Sequence, residues 1–270
     1  MLPTPKNQSL SERRIQRVAK FNTVLRNSSR KTQGFNACGF DVCDVGVGTD
    51  RNAFADGLTT LISVVRDAAE TDALLFDDQR MIDAADLQTI IISSTLSPNY
   101  VKDLRSRVPA HIHLIDAPMS GAQVKAKAGT LTFMLGGDDA ALDAQMPLFA
   151  AMGDAVHRMG ALGAGMTAKV LNNLLAASHT AMTRMVLDWA DDAGVDEAKL
   201  LALIDSASGQ NWLASGMDSI EFARDGYAPD NSIGILVKDV AAALDIAPDG
   251  ADTTLPETVQ AAVRGLKPRA

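Results

Sequence analysis

Lys169 and Asn173 stand four residues apart in Gly165-Met166-Thr167-Ala168-Lys169-Val170-Leu171-Asn172-Asn173. On a helix that spacing stacks both side chains on one face. The rest of the segment is strongly apolar, which predicts that the pair points into a cleft or a domain interface. A lysine partly withdrawn from water has a lowered pKa and can exchange a proton near neutrality, as a general acid or base. A neighbouring carboxamide can hydrogen-bond a substrate and fix its pose. The same residues read equally as a solvent-facing lysine beside a satisfied asparagine.

A second group is Asp116-Ala117-Pro118-Met119-Ser120-Gly121-Ala122, at the carboxyl end of a predicted strand. In open α/β sheets that end is where ligands bind. A Ser-Gly pair after a rigid proline offers a hydroxyl and successive unhindered N–H groups, a set suited to a small carboxylate. A plain turn would use the same residue types. A third group, Ser93-Ser94-Thr95-Leu96-Ser97-Pro98, runs hydroxyls into a proline-initiated helix, whose N-terminus could face a phosphate or a cofactor amide. Helix capping explains it as well. Lys238-Asp239 lies in an otherwise apolar helix, where a salt-bridged pair is the simplest reading.

These groups need a scaffold, and the hydrophobic pattern supplies one. Short strands are predicted at 40–45, 61–65, 89–94, 112–116, 130–135 and 156–159. Their Val, Ile and Leu runs do not alternate with polar residues, as expected for strands of a parallel sheet buried on both faces. Helices are predicted between them at 67–76, at 98–107 from Pro98, and at 139–152 behind a capping Asp138. After Gly165 the strand signal ends. One long helix is predicted over 166–193, with Leu171, Leu174, Leu175, Met182, Met185, Val186 and Trp189 as its apolar positions. Further helices follow at about 196–206, 211–223 and 231–246. The α/β half therefore meets an all-α half near residues 160–165.

Composition narrows the partners. The 270 residues carry a net charge of −8 and only two cysteines, Cys38 and Cys43, too few for a disulfide framework. The four histidines are scattered, so no metal site is expected. No apolar run is long enough for a membrane span. Residues 1–33 hold eight Lys/Arg against one acid, and the remainder holds 17 basic and 32 acidic side chains. A body of charge −15 should repel nucleic acid and anionic lipid, so neither is expected as a partner. The basic leader has Ile15, Val18, Phe21 and Leu25 at helical spacing. It reads as a poorly ordered extension, placing the protein in the cytoplasm, or as a transit peptide, placing it in the mitochondrial matrix.

Together the groups resemble the β-hydroxyacid dehydrogenase family, which includes 3-hydroxyisobutyrate and L-threonate dehydrogenases. The family's substrate loop resembles Asp116–Ala122 followed by Gly129-Thr130-Leu131-Thr132. Its catalytic helix resembles Gly163–Asn173, its Ser-Gly…Trp element resembles Ser208-Gly209…Trp212, and its late Lys-Asp resembles Lys238-Asp239. The blocks stand in the family's order from about residue 35 to 246. The resemblance implies an α/β fold: a Rossmann-like parallel sheet over 34–162, then an all-helical domain over 163–270, joined by a long bridging helix. It implies NAD or NADP as cofactor, a small 3-hydroxy acid as substrate, and Lys169 as proton donor or acceptor with Asn173 assisting. Ser120, Gly121 and Ala122 would hold the substrate carboxylate. Thr95, Val65 and Lys238 would contact the cofactor. The apolar, methionine-bearing long helix is also consistent with a homodimer.

The chain departs from the family at its start. The family opens with a strand and a Gly-x-Gly-x-x-Gly turn that lets the backbone approach the pyrophosphate. Residues 1–33 contain no glycine, so the sheet is predicted to be incomplete and cofactor binding impaired. Gly46-Val47-Gly48 could be a displaced fingerprint, but Arg51 replaces its third glycine. Asp67 then falls about where a ribose-binding acid would, and Asp44, at a strand end, is another candidate. Ala122 replaces the usual second glycine of the substrate loop, and the helical domain is predicted to be shortened. A non-catalytic relative, acting as an assembly or ligand-binding module, is the alternative reading.

Overall fold

The computed structural model describes residues 18–21, 42–43, 52 and 55–269. It divides into two compact units, the first ending at Met166 and the second running from Thr167 to Ala270.

The first unit is built on one sheet. Its strands are β1 (Val18–Phe21), β2 (Val42–Cys43), β3 (Thr60–Ser63), β4 (Thr89–Ile92), β5 (His113–Asp116), β6 (Met119–Ser120), β7 (Leu131–Gly136) and β8 (Gly153–Gly160). The order is β2-β1-β3-β4-β5-β7-β6, with β8 also paired to β7. Strands β2 to β5 along this path are parallel, aligning Phe21 with Ser63, Ser63 with Ile92, and Ile92 with Asp116. β7 runs antiparallel to β5 and β6, and β8 runs parallel to β7.

The absence of alternation along these strands has the expected cause. Leu61, Ile90, Ile92 and Leu114 point into one core, with Leu74 and Leu75 of α1 (Ala68–Leu75) and Val101 and Leu104 of α2 (Pro98–Arg107). Ile62, Ile91 and Ile115 point into the other, with Ala126 of α3 (Ala122–Ala128) and Leu142, Leu148 and Phe149 of α4 (Asp139–Met152). Successive residues serve opposite faces, and both faces are covered. Each such side chain contributes about 1.5–3 kcal/mol on burial. The caps are as the residues predict: Asp138 accepts the N–H groups of Ala140 and Ala141 at 3.1 and 3.2 Å.

Two expectations fail in this unit. The spacing of Ile15, Val18, Phe21 and Leu25 predicts a helix, yet Val18–Phe21 is a strand lying between β2 and β3. Pairing with β3, forty residues away, overrides the local period, as tertiary context does for a short run. The sheet therefore has an inner strand within the segment read as a leader. Residues 44–51, which include Asp44 and the Gly46-Val47-Gly48 turn, lie outside the described residues.

The second unit is helical: the body of α5 (Ala164–Asp192), then α6 (Glu197–Ser206), α7 (Trp212–Ser215), α8 (Ser232–Leu244) and α9 (Thr254–Arg264). α5 begins in the first unit and continues into the second. The helix predicted over 211–223 stops at Ser215. Gly216 follows, and turn hydrogen bonds take over through Ala223. α9 is a further helix after the one that carries Lys238-Asp239. Arg184, buried on α5, donates to the carbonyls of Ala223 and Asp225 at 2.9 Å each and also to that of Lys267, tying the last residues to the long helix. Arg269 adds ion pairs to Asp188, Asp191 and Glu197 at 2.6–2.7 Å. Burial disfavours the Glu197 carboxylate, but hydrogen bonds from Arg224 and Arg269 outweigh it and hold the group below the usual range.

α5 also differs from expectation in which residues it buries. Val170, Asn173, Ala177, Thr180, Thr183, Arg184, Leu187 and Ala190 face inward. Leu171, Leu175, Met182, Met185 and Trp189, all predicted as packing positions, are exposed. A second apolar stripe on the opposite side of the helix produced the misreading.

Candidate active site

The carboxyl ends of β3, β4 and β5 lie side by side because the three strands are parallel and in register. Val64 and Val65 leave β3, Ser93, Ser94 and Thr95 leave β4, and Asp116 ends β5. Val65 and the two serines are buried, and Thr95 is half-buried. Ser97 caps α2, accepting the N–H groups of Asn99 and Tyr100 at 3.1 and 3.3 Å, so capping accounts for that one hydroxyl. It does not account for Ser94. The Ser94 and Ser63 hydroxyls are buried and have no hydrogen-bond partner among the described residues. Buried polar groups are rarely left so, and these two sit where an open α/β sheet takes its ligand. Asp67 is used otherwise: its carboxylate caps α1 by accepting the N–H of Glu70 at 3.0 Å.

Asp116 is fully buried and belongs to the scaffold. Its carboxylate accepts the N–H of Gly163 at 2.8 Å and that of Met166 at 2.6 Å, closing the first turn of α5. Burial pushes this carboxyl up, and the backbone N–H groups pull it only part of the way back. The fit depends on two glycines. A β-carbon at Gly136 would lie 2.2 Å from Asp116 Oδ1, and one at Gly165 would lie 2.3 Å from the Met134 carbonyl oxygen. The Leu96 N–H also reaches the Met166 sulfur at 3.3 Å, tying the loop after β4 to the same turn.

Ser120 is held in β6 by pairing opposite Thr132. Gly121 has φ +133° and Ala122 has φ +53° as α3 begins. Ser120, Gly121 and Ala122 are all half-buried. Ala122 therefore carries a conformational cost, since the left-handed region costs a non-glycine residue roughly 1–2 kcal/mol.

The second unit gathers the other candidates. Lys169 and Asn173 both lie on the inward face of α5 and are buried, 7% and 8% exposed, which removes the solvent-facing alternative. The Asn173 amide donates to Asp239 Oδ2 at 2.6 Å and accepts from Asn172 at 3.3 Å. Lys238 Nζ lies 2.8 Å from the other oxygen of Asp239. Asp239 is thus shared between two candidates, and the sequence reading of a salt bridge caught only one of them. The overlooked signal was an acid on the apolar face of α8, where it had to be buried and therefore partnered.

The candidates thus divide between the units: Val65, Thr95 and Ser120–Ala122 belong to the first, and Lys169, Asn173 and Lys238 to the second, where Asp239 joins Asn173 and Lys238. A parallel-dominated dinucleotide-type sheet followed by a helical unit defines the class of fold, and the comparisons agree. Residues 15–163 match the family model for the NAD-binding domain of 6-phosphogluconate dehydrogenase. Residues 163–267 match the model for the NAD-binding domain of NADP-dependent 3-hydroxyisobutyrate dehydrogenase. The first match begins three residues before β1, inside the basic leader. The chain belongs to the β-hydroxyacid dehydrogenase family.

Among its relatives is L-threonate dehydrogenase of Pectobacterium atrosepticum, 31% identical over 73% of this chain and 65% of that enzyme. Another is the mitochondrial 3-hydroxyisobutyrate dehydrogenase of Drosophila melanogaster, 32% identical over 63% of this chain and 55% of that enzyme. The chain thus spans less than two thirds of each of these relatives. In fold it is similar to a 3-hydroxyisobutyrate dehydrogenase from Salmonella typhimurium, with a TM-score of 0.72, 22% identity, and coverage of 90% of this chain and 92% of that one.

Proposed function

We propose that the chain is an NAD(P)-dependent oxidoreductase of small 3-hydroxy acids, with weakened hold on its cofactor. The observation that carries this reading is the buried Lys169–Asn173 pair, with Asn173 oriented by Asp239. A lysine withheld from solvent beside a fixed carboxamide suits proton exchange with a substrate oxygen. In oxidation Lys169, in its neutral form, takes the hydroxyl proton, and in reduction it returns it. Asn173 orients the same oxygen, and Ser120, Gly121 and Ala122 bind the carboxylate.

The residues present fit the nicotinamide side of the cofactor. The unpartnered buried hydroxyls of Ser63 and Ser94 lie at the ligand-binding ends of β3 and β4, with Val65 and Thr95 beside them. When bound, nicotinamide supplies the acceptor or donor of hydride. The pyrophosphate side is another matter, because the sequence after Phe21 reads Asn22-Thr23-Val24-Leu25 and reaches no glycine until Gly34. A glycine-rich turn gives several charge-assisted hydrogen bonds, each worth roughly 1.5–3 kcal/mol. Without two of them affinity falls by orders of magnitude.

That absence also favours a second reading, a non-catalytic relative that keeps the helical unit for assembly or ligand binding. Titration of NADH and NADPH by fluorescence or calorimetry, with turnover assayed on L-threonate, 3-hydroxyisobutyrate and L-serine, separates the two. Weak saturable binding with turnover supports the proposal. Micromolar binding overturns the weakened hold, and no binding at millimolar levels supports the non-catalytic reading. The titration also decides between NAD and NADP.

A further inference from the structure

Lys125 stands four residues after Gly121, in α3, and its side chain lies over that glycine. The Cα–Cβ bonds of a helix lean toward its amino end, which brings the side chain at 125 back over position 121. A β-carbon at Gly121 would fall 2.6 Å from Lys125 Cβ, 2.7 Å from Cδ and 3.0 Å from Cγ. The space left by the glycine is therefore where the lysine stem lies, and the ammonium follows Cδ by two bonds. The main chain holds this arrangement from both sides. The Lys125 N–H donates to the Gly121 carbonyl at 3.2 Å, and the Lys125 carbonyl accepts the Thr130 N–H at 2.9 Å. Next to it Ala126 is buried in the core that contains Phe133. The backbone at 125 is thus fixed while its side chain is exposed.

The charge of Lys125 has no local counterpart. Residues 117–137 hold two lysines and no Asp or Glu, in a chain of net charge −8. The acids at either border are engaged elsewhere. Asp116 accepts the N–H groups of Gly163 and Met166, and Asp138 caps α4. None of the ion pairs among the described residues uses Lys125. A lysine that served only to keep the surface solvated would need neither a glycine under its stem nor a stretch cleared of acids around it.

We infer that Lys125 is a substrate-binding residue: its ammonium pairs with the carboxylate held by Ser120, Gly121 and Ala122, and it makes the site select an ionised acid over the neutral amide of the same shape. The inference rests on the reading of that loop in the proposed function and deepens it. An ionised carboxylate only accepts hydrogen bonds and has room for about four donors. The Ser120 hydroxyl and the N–H groups of Gly121 and Ala122 are neutral donors, and the Lys125 ammonium adds the one full charge. Charge-assisted hydrogen bonds are roughly twice as strong as neutral ones. An amide brings no charge to the ammonium and turns an NH₂ toward the same donors. The exposed position of Lys125 has a second use. An acidic protein repels a small anion at a distance, and an acid-free patch around a lysine reverses the sign of the field where the anion docks.

The test is calorimetric titration of the cofactor-free chain with 3-hydroxyisobutyrate and with its amide, for wild type, Lys125→Met and Lys125→Arg. Wild type should bind the acid in preference to the amide. Lys125→Met should weaken binding of the acid about 10- to 100-fold, the equivalent of one charge-assisted hydrogen bond, and leave the amide unaffected. Lys125→Arg keeps the charge and should retain most of the affinity. Both variants alter an exposed side chain, so circular dichroism should be unchanged. In turnover, Lys125→Met should raise KM by a similar factor and change kcat far less, because the ammonium meets the carboxylate and not the reacting carbon. Equal affinity of wild type and Lys125→Met for the acid, a parallel loss for acid and amide, no recovery in Lys125→Arg, or no binding of the acid at millimolar levels would each overturn the inference. Since the titration needs no cofactor, Lys125-dependent binding without turnover would overturn the oxidoreductase reading alone.

Discussion

The Asp116 carboxylate and the Met166 N–H are 2.6 Å apart, so the last residue of β5 fixes the first turn of the helix that carries Lys169. Three residues of helix separate Met166 from Lys169, a rise of about 4.5 Å. The end of a sheet strand thus sets where that helix starts.

Asp116→Asn keeps one acceptor and puts an amine in place of the other, leaving one N–H of the helix start unpaired. Chemical denaturation at neutral pH should show a loss of about 1–3 kcal/mol. Burial raises this carboxyl above its unfolded value, so its contribution is fully present below the unfolded pKa and declines as pH rises through the folded one. The stability gap between wild type and Asp116→Asn should therefore narrow as pH rises from acid to neutral. A gap that widens would contradict this assignment.

Asn173 and Asp239 should behave as one unit. In a double-mutant cycle of Asn173→Ala and Asp239→Ala, thermal stability should reveal a coupling of about 0.5–3 kcal/mol. Additive losses would mean that the 2.6 Å contact does not persist in solution.

Ala122→Gly relieves a left-handed residue, at the cost of some extra chain entropy, and should raise stability by about 0.5–1 kcal/mol. Gly121→Ala should do the reverse and lose more than that. Its φ is +133°, and a β-carbon there would lie 2.6 Å from the Lys125 side chain. Melting curves of the two variants, moving in opposite directions, check both statements.

Lys169→Ala should lower turnover by about 10²–10⁴-fold, the range typical of a lost general acid or base. NAD(P)H affinity should stay nearly unchanged. Loss of cofactor binding instead would move Lys169 from proton transfer to cofactor contact.

Much of this was legible in the sequence because the physics is local there. Runs such as Thr89–Ile92 can only be buried on both faces, and Asp138 and Ser97 announce the helices they cap. That Lys169 and Asn173 share one face of a helix was readable from their spacing, whereas their burial was not. β1 was not, since four residues owe their conformation to partners on β2 and β3. Nor were the distant partners of Asp116 and Asp239. Gly163, Met166 and Asn173 lie 47–66 residues from the acid that each one meets, and no window of sequence contains both halves of such a contact.

The position of β1 makes the sheet vulnerable at one place. Val18–Phe21 is an interior strand, so the N–H and C=O groups along that side of β3 are used up by it. A protease cut just beyond Phe21 that released this strand would turn the middle of the sheet into a border. The run Leu61-Ile62-Ser63-Val64-Val65 would then offer an apolar, uncharged template to any other chain. Loss of about twenty residues would be felt first as precipitation.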